Sequence, residues 1–205
     1  MKNNNYIFLV FFATLFLPSC RKEQCGTSNK TVNFYQRVTP ESKEFNIGDT
    51  IRWHFYAPYN NIDNSKNEAV NISNTKKIHK FSFSLVRIDS SEGFGLASRG
   101  LTHFNLSFLK GKNPFFFNDI ARKDVSVHIS LERGNDQFEV IVQAVAVKRG
   151  VFMLSHYITS GVDCMLIDFI PKLFNPTRNE ELYTQFSIYN TPVTFYGTEY
   201  FFRVK

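Results

Sequence analysis

The sequence predicts an all-β domain, an antiparallel β-sandwich with long loops and at most one or two short helices. Three observations carry this. Apolar and polar residues alternate with period two in many short runs, the mark of half-buried strands. The chain holds 23 phenylalanines against one tryptophan, and most recur at alternate positions, as core residues of strands do. Helical periodicity is poor: Asn179 to Phe186, opened by Pro176 and Thr177, allows two turns at most, and Ile120 to Lys123 one.

Taken in order, Val32 and Phe34 alternate with Asn33 and Tyr35. Phe45, Ile47, Ile51, Trp53 and Phe55 flank a Gly48-Asp49 turn. Residues 59–77, rich in asparagine, read as a long polar connection. Phe81, Phe83 and Leu85 form the next strand, and residues 89–99 a second long loop. Val125, Val127, Ile129 and Leu131, then Phe138, Val140, Val142, Ala144 and Ala146, flank Arg133-Gly134-Asn135-Asp136 and read as a hairpin of two long strands. Strands at 151–157, 185–189, 193–196 and 200–204 complete the pattern. Many short strands with polar turns argue a sandwich. No internal repeat or linker interrupts residues 31–205, so they are read as one domain.

The start of the chain has a different chemistry. A basic residue, Lys2, precedes an apolar run from Tyr6 to Leu17, which closes on Leu17-Pro18-Ser19-Cys20. The run is shorter than the roughly 20 residues a membrane span needs. Its order of charge, apolar stretch and small residue is that of a signal peptide. These residues resemble a bacterial lipoprotein signal with its lipobox, with Pro18 where a small residue is commoner. The resemblance implies cleavage before Cys20, a signal over 1–19, lipid on the Cys20 sulfur, and a tether over 20–30. It also implies an address in the bacterial envelope, most simply the outer membrane, with the membrane itself as a partner through the anchor. Buried acyl chain contributes about 0.8 kcal/mol per CH₂, so two or three chains hold permanently. Glu23 is the only acid in the flank after Cys20, which leaves both the periplasmic side and the cell surface open.

The stretch Phe45-Asn46-Ile47-Gly48-Asp49-Thr50-Ile51 resembles the second-strand start of Ig-like extracellular domains. With the lipobox and Val147-Lys148-Arg149-Gly150-Val151-Phe152, the chain is similar to single-domain lipoproteins of the Bacteroidota. That similarity implies an anchored, Ig-like β-sandwich and no particular activity.

Net charge is +6, but the basic residues are scattered, with no like-charge block longer than Lys76-Lys77. Nucleic-acid binding needs a concentrated basic face, so it is set aside. Cys25 and Cys164 either pair outside the cytoplasm, which would constrain a long loop by several kcal/mol, or remain two thiols. No zinc spacing surrounds them.

Catalytic and cofactor motifs are wanting. His54, His79, His103, His128 and His156 form no ligand spacing, and His54 and His128 are expected on solvent-side strand faces. Gly93-Phe94-Gly95-Leu96-Ala97-Ser98 falls one glycine short of a dinucleotide fingerprint and lacks a βαβ setting. Ser73 and Lys76 have SxxK spacing without its companion elements. Asp63, Asp89 and Glu92 lie in loops, and Asp163 and Asp168 flank Cys164; spacing brings no two of these acids together. The expectation is therefore no catalytic residue, no metal and no cofactor.

Two groups are candidates for contact with a ligand or partner. Tyr56, Tyr59 and Asn60 sit at a strand end, suited to a glycan. Phe115, Phe116 and Phe117 break the alternation, because three consecutive rings cannot share one face of a strand. A covering loop is the expectation for them; if bare, they would be a protein-contact surface. Trp53 falls on the apolar face of its strand and is read as core. The function expected is a non-enzymatic envelope binding module for a glycan, protein or envelope component. A structural or assembly accessory comes next, then a hydrolase using loop carboxylates.

Overall fold

The computed structural model describes residues 30–75, 80–89, 100–119, 124–157, 167–175, 177–182 and 198–205. Fourteen strands lie among them: β1 (Lys30–Thr39), β2 (Glu44–Phe45), β3 (Thr50–Pro58), β4 (Asn60–Asp63), β5 (Glu68–Asn71), β6 (Lys80–Arg87), β7 (Phe104–Lys110), β8 (Lys112–Asp119), β9 (Asp124–Ser130), β10 (Glu132–Arg133), β11 (Gln137–Ala146), β12 (Gly150–Tyr157), β13 (Ile167–Leu173) and β14 (Tyr200–Val204). They form a β-sandwich. Sheet A runs β10-β11-β3-β1-β13, with β7 also on β11; sheet B runs β2-β14-β12-β6-β9-β8; β4 and β5 pair by themselves. Most pairs are antiparallel, as expected, but β1 with β13 and β14 with β2 are parallel.

Alternation builds the core. β1 and β3 send Phe34, Val38, Ile51, Trp53 and Phe55 inward from sheet A, and β6, β12 and β14 answer with Phe81, Phe83, Phe152 and Phe202 from sheet B. The Phe55 ring lies 4.9 Å from that of Phe81 and 5.3 Å from that of Phe83, and Trp53 packs edge-on to Phe83 and Phe104. Each such side chain contributes roughly 1.5–3 kcal/mol by leaving water, and each ring pair about 0.5–1.5 kcal/mol more.

Two readings of the sequence are corrected. Residues 125–146 are not one hairpin. β9 pairs with β6 and β8 in sheet B, whereas β11 pairs with β3, β7 and the two-residue β10 in sheet A. Both strands turn an apolar face to the same interior, so the chain crosses between sheets at Leu131 instead of folding back. Residues 59–77 are not simply a loop either, since Asn60–Asp63 and Glu68–Asn71 form a hairpin. Its strands are polar because its job is hydrogen bonding. Asn61 accepts from the Asn33 amide (3.0 Å) and donates to the Asn33 carbonyl (2.9 Å), and Asp63 accepts from the Thr31 amide. These side chains extend the ladder of β1 where β3 has turned away. Further strands expected at 185–189 and 193–196, and the helical turn at 120–123, lie outside the described residues.

Asn175 does the same at the other end of β1, accepting from Val38 N at 2.8 Å and donating to Val38 O at 2.9 Å. At Gly111 the chain passes from β7 in one sheet to β8 in the other, with φ of +112°. A Cβ there would stand 2.7 Å from Ile129 Cδ1 and 2.9 Å from Val140 Cγ2, inside the core, so only glycine fits.

Replacing Asn175 by Ala orphans both Val38 backbone groups. The expected cost is about 2 kcal/mol, read as a lower midpoint in urea unfolding at unchanged slope. A second measurement concerns His156, buried between Phe34 and Phe55, whose Nδ1 lies 2.7 Å from Gln36 Oε1. Burial pushes its pKa down to about 3. The unfolded chain therefore binds the proton first, between pH 6.5 and 3, and stability falls as pH falls through that window, by up to about 1.4 kcal/mol per pH unit. Above pH 6.5 the contribution is constant. His156→Leu should show a shallower acid slope in urea unfolding series across that range, together with a loss at pH 7.5 from the stranded Gln36 carbonyl.

Candidate functional site

The outward face of sheet A carries an ordered array. Register places Tyr35 opposite Tyr56 and Tyr56 opposite Glu139, then Arg37 opposite His54 and His54 opposite Ile141, then Arg52 opposite Gln143. Inward neighbours of these residues are the core rings, so the side chains named here are held on a rigid floor. Their rings form a row. His54 lies 4.7 Å from Tyr56, Tyr56 stacks on Tyr35 at 5.3 Å, and Tyr35 meets Phe174 edge-on at 6.4 Å. The Arg37 guanidinium sits over Phe174 at 5.0 Å. Phe174 is 50% exposed and comes from the turn just after β13.

Within this face His54 Nε2 lies 3.0 Å from Glu139 Oε2, and Gln137 Nε2 donates to the same oxygen at 2.9 Å. Burial lowers the His54 pKa, against the pull of Glu139 in the other direction. The imidazole is therefore neutral at neutral pH, with Nε2–H donating to the carboxylate, and the contact is a hydrogen bond more than an ion pair. Arg37 and Arg52 make no ion pair among the described residues, and the hydroxyls of Tyr35 and Tyr56 meet no hydrogen-bond partner there.

A second exposed feature lies at the lateral margin, where β7 ends sheet A and β8 ends sheet B. Phe115 is 62% exposed, Phe116 51% and Leu109 49%. The covering loop expected over Phe115 and Phe116 is not what the structure shows. Phe115 pairs across from His128 and points outward; Phe116 pairs across from Val127, on the inward side, and its half-exposed ring meets that of Phe108 edge-on, 6.3 Å away. Phe117 is in the same strand, opposite Ser126, and its side chain lies outside the described set. Lys112, Asn113 and Pro114, with a register shift against β9, blunt the first half of β8.

Of the strand-end candidates, Tyr56 belongs to the aromatic row. Tyr59 does not: it is 9% exposed, packs on Phe138 and donates its hydroxyl to Gly134 O at 2.8 Å. Its ring turns inward where β3 gives way to β4. Asn60 is exposed but accepts from the Asn71 side chain across the small hairpin. Among the histidines, His128 is half-buried between the Ser82 and Ser126 hydroxyls, not free on a wet face. Asp89 is bound to Arg87, and Ser73 to Asn71. Among the described residues no three His, Cys, Asp or Glu side chains gather as a metal ion requires. Cys20, Cys25, Cys164, His79, Glu92, Asp163 and the 93–98 turn lie outside the described residues. Tyr35, Arg37, Glu139 and Phe174 escaped the sequence reading because they meet across strands; the signal was Tyr35 and Arg37 alternating with Phe34 and Val38.

No protein-family model matches the sequence, and a search of curated proteins finds no match. Among solved structures the chain is similar to the human F-spondin reeler domain, at 10% identity and a TM-score of 0.41, covering 91% of this chain and 99% of that one. It is also similar to a non-cellulosomal cohesin from the hyperthermophilic archaeon Archaeoglobus fulgidus, at 11% identity and a TM-score of 0.33, covering 84% of this chain and 91% of that one. At these values nothing of their function is transferred.

The His54–Glu139 contact is testable by NMR. The His54 ring should titrate below the ordinary histidine pKa of about 6.5. Glu139→Gln removes the group that pulls the value up, so the midpoint should move further down.

Proposed function

We propose that this chain is a lipid-anchored binding module of the bacterial envelope that takes a protein partner along the open β7/β8 margin. The anchor is the acylated sulfur of Cys20, in keeping with the signal-like order of residues 1–20. The observation that carries the partner is the exposure of Phe115 and Phe116 together on a sheet-edge strand. Large rings held bare on a rigid strand match the hot-spot residues of protein interfaces. An edge strand adds main-chain donors and acceptors, so an extended segment of a partner can join the sheet. The blunted half at Lys112–Pro114 confines such pairing to the stretch from Phe115 onward and fixes its register. The function requires no chemistry from the protein, only position at the membrane and a surface to hold.

In cells making the full chain, labelled palmitate should enter the protein, and Cys20→Ala should abolish both the label and membrane retention. A photo-crosslinking residue at 115 should trap one discrete protein. Phe115→Asp with Phe116→Asp should weaken capture of that protein by tenfold or more, on the order of a hot-spot loss. An unlabelled protein that stays on the membrane would remove the anchor from the proposal; undiminished capture by the double variant would remove the margin.

A further inference from the structure

A separate surface points to a second ligand. We infer that the outward face of sheet A binds an acidic glycan, with a sugar ring against the aromatic row of Tyr35, Tyr56 and Phe174 and its anionic group on Arg37 and Arg52.

Apolar faces of pyranoses pack on aromatic rings, and hydroxyls at their rims seek planar polar groups. Both kinds of partner are present. Phe174 is half exposed, and the Tyr35 and Tyr56 hydroxyls, without partners among the described residues, can donate or accept. Neighbouring strands are about 4.8 Å apart and alternate residues of one strand about 6.8 Å, a mesh on the scale of a sugar ring. The rings are held by stacking and by the buried core beneath, so little ordering is needed on binding.

Charge selects the glycan. Arg37 lies opposite His54, and Arg52 is two residues along on the same face. Both are exposed and neither has an acidic partner among the described residues. Lys172, opposite Tyr35, and Lys110, opposite Ile141, add to the same side. Glu139 is the acid that faces this array, and its carboxylate is already held by His54 and Gln137. The face is cationic; Arg37 rests over the Phe174 ring with its edge bound to no acid among the described residues, and guanidinium groups suit carboxylate or sulfate oxygens in bidentate contact. A nucleic-acid strand could use the same rings and cations. A phosphate backbone needs a concentrated basic face, whereas the cations here are set among the Tyr35 and Tyr56 hydroxyls and the Gln143 amide, partners suited to sugar hydroxyls, and this favours the glycan.

The test uses the full-length chain in mild detergent, with polygalacturonate, dextran sulfate, neutral dextran and oligothymidylate as probes in a binding titration. One or both acidic polysaccharides should bind, weakening as salt rises, with neutral dextran at least tenfold poorer; the preferred polymer tells carboxylate from sulfate. Arg37→Ala with Arg52→Ala should cost about tenfold or more, since each arginine makes a charge-assisted bond, and Tyr56→Ala a comparable factor. The arginine pair is exposed, so its thermal melt should match the parent and keep the result readable even if Tyr56→Ala unfolds. Phe115→Asp should leave polysaccharide binding unchanged. No binding to either acidic polymer, equal binding of neutral dextran, tighter binding of oligothymidylate, or full binding by the arginine double variant would each overturn the inference.

Discussion

Strand β1 must have its backbone satisfied on both sides along its whole length, and much of the architecture follows from how that is met. β13 runs parallel to it on one side and β3 antiparallel on the other, but neither spans all ten residues. The gaps are closed by side chains acting as pieces of strand: Asn61 and Asp63 at the start, Asn175 at the end. An amide side chain holds donor and acceptor side by side in the spacing of a peptide group, so it can complete a ladder without adding a strand. Burying these groups unpaired would cost far more than the bonds contribute. The polar hairpin β4–β5 and the turn after β13 are thereby fastened to the centre of sheet A.

The same strand orders two environments at once. Phe34 and Val38 go inward, while Tyr35 and Arg37 go outward. A slip of one residue would exchange the faces and put a guanidinium into the aromatic core, so register is strongly specified. Gln36 is the exception to the inward pattern. It is fully buried and reaches across the interior to His156 of sheet B. Gln36 Nε2 and His156 Nε2 have no partner among the described residues, so the pair contributes less to stability than two well-packed apolar groups could. What it adds is a directional contact between β1 and β12 in a core otherwise made largely of aromatic and aliphatic side chains.

This division explains what could be read from the chain beforehand. The alternations at 32–35, 51–55, 81–85 and 138–146 became strands because each has one face on the core, and period two is the imprint of that condition; residues 151–154 are apolar throughout and buried on both faces, Phe152 and Leu154 in the main core and Val151 and Met153 in a second cluster with Leu182 and Phe201. Partners are a different matter. Val125 to Leu131 and Phe138 to Ala146 alternate equally well, yet belong to opposite sheets, because alternation records which face is buried and not which neighbour buries it. β13 was missed since Pro171 interrupts it; β7 was missed although Phe104, Leu106 and Phe108 do alternate. The hairpin at 60–71 was unreadable because it is built by hydrogen bonds of asparagines, which resemble a loop in composition. At the sites, Tyr56 was legible from its place near a strand end, whereas Tyr59, three residues on, rotated into the core with the bend at Pro58. The aromatic row as a whole joins residues from β1, β3 and the turn after β13, and no local pattern encodes that meeting.

The bare phenylalanines sit in an informative place. A sheet edge invites pairing by other chains, and proteins blunt it with lysine, proline, bulges or a covering segment. β8 uses three of these devices within Lys112, Asn113 and Pro114, and then abandons them at Phe115 and Phe116. A few residues away, Gly111 anchors the crossing by reaching between Ile129 and Val140 of the two sheets, so this margin is tied to the core at one end. Rigid backbone, blunted on one half and apolar on the other, limits the ways a neighbour can dock without removing the attraction. Bare aromatic rings tend to associate when a protein diffuses freely at high concentration, and a lipid tether confines encounters to the plane of one membrane. Of the means of keeping such a margin both exposed and selective, protection by half the strand is built into the fold, and confinement is what Cys20 would supply.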